Sequence, residues 1–298
     1  MICHDGAVPD VDAARPAPGS GSWPSLPEPL VVPVPDSHCH LDIAYDADKH
    51  GPGLGVDEAL RHAEAVGVTR IVQVGYDVES SRFGLDVARQ HAQVVAAVAL
   101  HPNEAPRLAA GGRFDDGFAE ICEMASDERV RAIGETGLDH FRTAPEGREA
   151  QEESFRRHIA LAKRLGKTLV IHDRDAHDDV VRVLLDEGPP PRVVFHCFSG
   201  GAALARTCAE HGWFMSFAGT VTFKANEHLR EALAAAPMEL VLVETDAPFL
   251  APLPYRGRPN ASYLIPVTLR AMAEVRGVGE ADLAPTVAKN TERAFGAW

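Results

Sequence analysis

Several kinds of residue and segment are scarce or missing in this sequence, and each absence excludes a class of protein. The five cysteines are odd in number and form no CxxC pair, which favours a reducing compartment. No apolar run reaches the length that spans a membrane. The first 29 residues have neither the basic start nor the apolar core of a signal peptide. We therefore expect a cytoplasmic protein that makes no contact with a membrane.

Positive charge is scarce as well. Lys and Arg number 29 against 43 Asp and Glu, which gives a net charge of −14. Proteins that grip a long stretch of nucleic acid usually carry a basic stripe, so this balance argues against tight duplex binding. It leaves open chemistry on a strand end, where few phosphates are held and bound cations supply the local positive charge. No protein partner can be inferred.

The first 30 residues differ in composition from the rest of the chain. They are rich in Pro, Gly, Ser and Ala without periodicity, which predicts a disordered or loosely packed N-terminal extension. Residues 31–298 show no repeat and no second linker, and we interpret them as one domain. We expect that deletion of residues 1–28 leaves folding and metal binding nearly unchanged.

Short β-branched runs alternate with helical stretches along that domain. Of the helices, 57–66 and 148–166 are the clearest; the second repeats apolar residues at three and four positions and ends at Gly166. Near-continuous apolar strands separated by helices predict an α/β fold, a (β/α)₈ TIM-type barrel. The eight predicted strands are residues 31–38, 69–75, 94–101, 130–135, 168–172, 192–196, 213–219 and 240–245.

Histidines and carboxylates follow most of these strands. In a barrel the C-terminal strand ends meet on one face, which carries the active site. His38 and His40 lie two apart on a strand, so both imidazoles point the same way. The donors exceed the needs of one tetrahedral zinc, so two divalent ions are the more natural content: Mg, Mn, Zn or Ni. The expected metal ligands are His38, His40, Glu135, His172, His196 and Asp246.

Other polar residues near these positions are interpreted as structural. Cys39 and Cys197 alternate with expected ligands, so we expect them to act as small apolar side chains. Asp36 and Asp42 flank the histidine pair and are expected to cap the backbone or orient the histidines. Six further histidines are expected to be solvated or partly buried: His50, His62, His91, His158, His211 and His228.

Taken in order, these motifs resemble the TatD family of metal-dependent hydrolases in the amidohydrolase superfamily. The motifs are DSHCHLD, the HP at residues 101–102, GETGLD, IHDRDA, HCFSG and ETDAPFL, and the similarity runs from about residue 34 to the end. It implies a TIM-type barrel, a binuclear site and DNase activity, often as an exonuclease working from the 3′ end. By this resemblance one ion is held by His38, His40, Glu135 and Asp246, and the other by Glu135, His172 and His196.

The resemblance also suggests catalytic roles. Asp246 is the carboxylate best placed to accept a proton from the attacking water, beside the bridging Glu135. His101 matches a pocket histidine that either hydrogen-bonds the phosphate or protonates the leaving oxygen. Arg256 is as well explained by a surface position as by a phosphate contact. Residues 258–261 depart from the family's usual RNEP-like loop, which puts substrate preference in doubt.

Two other functions remain open. The superfamily also cleaves amides, lactones and phosphotriesters, and a fold does not fix its substrate. An enclosed apolar pocket would favour a small amide or lactone, whereas a basic substrate wall would favour DNA, with single-stranded ends as the expected substrate. A non-catalytic metal-binding protein is the third reading, and the complete ligand set argues against it.

Overall fold

The computed structural model describes residues 23–45 and 53–298, and its centre is a barrel of eight parallel strands in the order β1 to β8. The barrel closes where Cys39 bridges Ala247 beyond the end of β8, and the His40 amide donates to the Ala247 carbonyl at 2.8 Å. The predicted (β/α)₈ barrel is confirmed. The strands are β1 Asp36–Cys39, β2 Ile71–Val74, β3 Val94–Val98, β4 Val130–Asp139, β5 Thr168–Arg174, β6 Val193–Phe195, β7 Phe214–Phe217 and β8 Val241–Val243.

Helices alternate with the strands and cover the barrel. The predicted helix over 148–166 is present and ends before Gly166, whose φ of 63° is left-handed, as expected of a C-terminal glycine. None of the described helices is long and apolar enough to cross a bilayer. The α-helices are α1 Leu41–Tyr45, α2 Val56–Ala65, α3 Val78–Gln90, α4 Glu104–Ala110, α5 Phe114–Met124, α6 Arg148–Leu165, α7 His177–Glu187, α8 Ala202–His211, α9 Glu227–Ala235, α10 Ile265–Arg276 and α11 Glu280–Phe295.

Most strand boundaries differ by a few residues from those predicted, and two differ most. Strand β1 begins at Asp36 rather than at residue 31, because Pro33 and Pro35 have no amide hydrogen to donate to a ladder. Strand β4 continues to Asp139, four residues beyond the predicted end at 135. The extension depends on Gly137, since a Cβ there would lie 2.1 Å from the carbonyl oxygen of His172 on β5.

The segment at residues 23–30, which the sequence assigns to the extension, lies against the barrel. The Trp23 ring packs on Tyr263 at 6.4 Å between centroids, and the Tyr263 hydroxyl donates to the Pro24 carbonyl at 2.8 Å. Arg258 donates to the Trp23 carbonyl at 2.8 Å, and the Leu30 amide donates to Val66 at 3.0 Å. Residues 1–22 lie outside the described residues, so the expectation for them stays a prediction.

One histidine departs from its expected surroundings. His158 on α6 is fully buried rather than solvated or partly buried, and its Nε2 accepts a hydrogen bond from the Leu100 amide at 3.1 Å. Its Nδ1 lies 2.7 Å from the Ser154 carbonyl oxygen, which fixes the tautomer. His50 lies outside the described residues. The others are partly buried or exposed, as predicted: His62, His91, His211 and His228.

We predict that Trp23→Ala lowers the free energy of unfolding by about 1–2 kcal/mol, because it removes a partly buried aromatic contact with Tyr263. Leu26→Ala is the matched control in the same segment, since Leu26 is exposed and its change should stay within about 0.5 kcal/mol. Urea denaturation of both variants measures the difference. Equal midpoints for the two would show that the segment adds no stability.

Candidate metal centre

Every expected ligand lies beside the C-terminal ends of the strands, on one face of the barrel. Ligand atoms within 4.8 Å of one another form three groups that meet in one cluster. Glu135 is central: its carboxylate oxygens lie 2.8 Å from His196 Nε2, 3.4 Å from His172 Nδ1 and 3.7 Å from His40 Nε2. The groups are His38, Glu135 and His196; His38, His40 and Asp246; and His101, Glu135 and His172.

Hydrogen bonds between the first and last strands place the donors on either side of the barrel seam. The Asp246 amide donates to the His38 carbonyl at 2.9 Å. The buried Asp36 carboxylate accepts from the His38 amide at 3.2 Å and from the Thr245 amide and hydroxyl at 3.0 and 2.6 Å. Burial raises the pKa of Asp36 to about 7, although these hydrogen bonds lower it. Asp36 therefore orients the backbone beneath two expected ligands, as the sequence suggests.

Three imidazoles have their outward nitrogen fixed by a hydrogen-bond acceptor. His40 Nδ1 lies 2.9 Å from the Val74 carbonyl oxygen, His172 Nε2 lies 3.2 Å from Asp139 Oδ2, and His196 Nδ1 lies 3.3 Å from Glu244 Oε1. A carbonyl or carboxylate oxygen only accepts, so each of these nitrogens carries the hydrogen. The other ring nitrogen of each neutral histidine then presents a lone pair to the centre, the tautomer that a metal requires.

The inward nitrogen of His40 faces a carboxylate and a second ring nitrogen. His40 Nε2 lies 3.4 Å from Asp246 Oδ1 and 3.3 Å from His38 Nε2. A nitrogen lone pair and a carboxylate oxygen at this distance need a positive charge between them. Burial lowers the pKa of His40, but Asp246 and Glu135 raise it to about 9, so this pocket stabilises a proton or a cation there. The donor set therefore fits divalent metal ions.

The Glu135 carboxylate stays charged although it is buried. Burial raises its pKa, but His101, His196 and His172 outweigh that effect and hold the pKa well below its usual range. A carboxylate with two oxygens directed at different histidines can bridge two cations and offset their repulsion. Glu135 thus has the charge and the position of a shared ligand.

His101 carries its ring hydrogen on the inward nitrogen, whereas His40, His172 and His196 carry theirs on the outward one. Its Nδ1 accepts from the Asn103 amide at 3.0 Å, so in the neutral ring the hydrogen is on Nε2. Burial lowers the pKa of His101 to about 3, although Glu135 raises it, and the ring is neutral near pH 7. Its inward nitrogen therefore donates a hydrogen, and it lies 3.2 Å from His172 Nδ1. Distance alone groups His101 with the expected ligands, but its inward hydrogen makes it a hydrogen-bond donor.

Residues that the sequence reasoning missed hold the ligands in place. Asp139 and Glu244 support His172 and His196, and both stand in the motifs GETGLD and ETDAPFL. Glu244 also accepts from the Cys197 amide at 2.7 Å. A carboxylate inside a motif was the available signal, but its partner depends on the register between strands.

Arg256 is exposed, with its guanidinium 4.7 Å from the Phe223 ring centre.

Comparison with known proteins agrees with this geometry. The family model described as TatD related DNase matches residues 35–296. The chain belongs to the TatD family. A TatD relative from Mycobacterium tuberculosis (strain ATCC 25618 / H37Rv), named an uncharacterized metal-dependent hydrolase, is 43% identical over 270 residues, covering 88% of this chain and 97% of its own.

Two further proteins are similar over the same extent of the chain. The metal-dependent hydrolase YabD of Bacillus subtilis (strain 168), also named uncharacterized, is 35% identical and covers 87% of this chain and 98% of its own. The crystal structure of YJJV, a TatD homolog from Escherichia coli K12, superposes with a TM-score of 0.79 at 25% identity, over 89% of this chain and 98% of its own. The chain is thus a metal-dependent hydrolase of this family.

We predict that Glu135→Ala and His101→Ala differ in metal content. Glu135→Ala should lose most of the bound metal, because the histidines then face one another without their shared negative charge. His101→Ala should retain it, because His101 contributes a hydrogen rather than a lone pair. Mass spectrometry of the purified variants measures the metal, with the exposed Glu123→Ala as control. Loss of metal from His101→Ala would place His101 among the ligands.

We also predict that Asp139→Asn weakens metal binding by about 10- to 100-fold, the usual effect of removing a carboxylate behind a histidine ligand. The amide keeps the shape but no longer stabilises the hydrogen on His172 Nε2. Competition with a chelator measures the affinity, and thermal denaturation checks that the fold is intact. Asp178→Asn, an exposed change on α7, is the control. An unchanged affinity would contradict a supporting role for Asp139.

Proposed function

We propose that this protein is a metal-dependent deoxyribonuclease that hydrolyses phosphodiester bonds from the 3′ end of single-stranded DNA. The observation that carries the proposal is the set of histidines whose lone pairs converge on Glu135 and Asp246, since such a centre suits phosphodiester hydrolysis. The DNase description of the matching family supports the choice of substrate.

The residues present could hold two divalent ions. His38, His40, Glu135 and Asp246 would hold one, and Glu135, His172 and His196 the other, as the resemblance implies. The mixture of imidazole and carboxylate suits Zn, Mn or Ni, and Mg with added waters. Bound there, the ions supply Lewis acidity to the phosphate and lower the pKa of the attacking water.

The protein's own side chains handle the proton and the phosphate. The Asp246 side chain is 14% exposed, against 3% for His40 beside it, so its carboxylate can be reached by water and accepts the proton of the attacking water. His101 donates its Nε2 hydrogen to a phosphate oxygen, where charge develops in the transition state. A pKa of about 3 leaves no acidic proton on His101 near pH 7. Of the two roles that the sequence leaves open, hydrogen bonding is therefore the one we propose.

The net charge and the cysteines bear on the form of the substrate and on the compartment in which the enzyme works. A net charge of −14 disfavours a long duplex footprint, so the contact is restricted to a strand end. No disulfide joins the cysteines of the described residues, which are Cys39, Cys122, Cys197 and Cys208, and we propose that the enzyme works in the cytoplasm, where thiols stay reduced.

The test is hydrolysis of 5′-labelled single-stranded and duplex DNA with Mg²⁺, Mn²⁺ or Zn²⁺, beside an amide and lactone panel. We expect stepwise shortening of the single strand from its 3′ end. Asp246→Asn should reduce the rate by about 10²- to 10⁴-fold, because it removes the proton acceptor. Asp116→Asn, an exposed change on α5, should behave like the wild type. Turnover of an amide or lactone with intact DNA would overturn the proposal.

A further inference from the structure

An exposed aromatic ring follows the strand that carries Glu135. Phe141 is 47% exposed, and the other exposed large apolar side chains in the described residues are aliphatic. It follows β4 by two residues, so two steps of about 3.8 Å separate its backbone from that of Asp139, which supports His172. The C-terminal ends of the barrel strands form the face that carries the candidate metal centre. A half-exposed phenyl ring there has a π face on which a nucleobase can stack.

A guanidinium holds the Phe141 ring. The Arg174 guanidinium carbon lies 3.9 Å from the ring centre, and the Arg174 carbonyl accepts from the His140 amide at 2.9 Å. Arg174 ends β5 and pairs in register with Asp139, so the stack is built on the two strands that carry Glu135 and His172. One side of the ring is thus fixed by a cation, and the exposed part is presented rigidly.

The net charge of the chain favours stacking over phosphate binding. At −14, it repels the backbone phosphates of a strand. Stacking of a base on an aromatic ring does not depend on net charge, and every base has a π face. A chain of net charge −14 can therefore hold a single strand by its bases.

We propose that Phe141, held by Arg174, is a stacking platform for one unpaired nucleobase of the strand whose phosphate lies at the metal centre. The inference rests on the proposed function and deepens it. A base within a duplex is already stacked on both faces, so the platform selects single-stranded ends. Its contact is with the base, so it acts on substrate affinity and leaves the chemical step unchanged.

The test is a cycle that changes protein and DNA together. Fluorescein-labelled oligodeoxynucleotides carry one abasic site at each successive position from the 3′ end. Binding is measured by anisotropy in an Asp246→Asn background, where cleavage is slow, and KM and kcat are measured in the Asp246 enzyme. The protein variants are Phe141→Leu, which removes the π face, and Phe141→Tyr, which keeps it. Leu185→Ala on α7 is the control, because Leu185 is 48% exposed and far along the chain.

At one position, we expect the abasic site to weaken binding by about 5- to 100-fold in the protein with Phe141, the range for one stacked base. Phe141→Leu should show the same loss with the intact strand and no further loss with the abasic one, while kcat stays unchanged. Phe141→Tyr should restore the base dependence. Equal binding of all oligonucleotides by Phe141→Leu and its parent would overturn the platform. If the wild-type enzyme leaves the DNA uncleaved, the proposed function is overturned instead. The binding measurements would still show whether Phe141 stacks on a base.

Discussion

The hydrogen bonds on the outward nitrogens of three imidazoles are the constraint on which the centre depends. Val74, Asp139 and Glu244 accept from His40, His172 and His196, and so decide which ring nitrogen keeps a lone pair. A neutral imidazole has one hydrogen, so fixing it on one side frees the other. The barrel supplies these acceptors from the strand ends themselves. The centre is therefore arranged for cations by the strands before any ion is bound.

His101 follows the same rule with the opposite result. The Asn103 amide occupies its Nδ1, so the hydrogen points inward. The residue before His101 is Leu100, and its amide donates to buried His158. This hydrogen bond fixes the backbone just after β3, where the chain turns toward the centre. One backbone donor thus gives His101 an inward hydrogen, whereas His172, within hydrogen-bond distance of it, has an inward lone pair.

The convergence of the expected ligands on one face could be predicted from the sequence, whereas most of the residues that support them could not. Side chains such as His172 follow apolar strands directly, and parallel strands bring their ends to one face. The partnership of Asp139 with His172 depends on the register of β4 and β5, and on a close approach that only Gly137 allows. The packing of Trp23 on Tyr263 joins residues far apart in the chain. Composition suggested a loose segment there, because no local periodicity records such a contact.

The left-handed backbone at Cys197 limits how this centre can be altered. Its φ of 41° turns the amide toward Glu244, the acceptor behind His196. β-branched side chains rarely adopt that conformation, whereas Asn, Asp and Gly do so readily. Attempts to retune metal preference by directed evolution should therefore find few acceptable replacements at position 197, even though Cys197 is not among the clustered donors. Asp246, with φ of 52°, is limited in the same way, so Asn is the conformationally mildest exchange for that carboxylate.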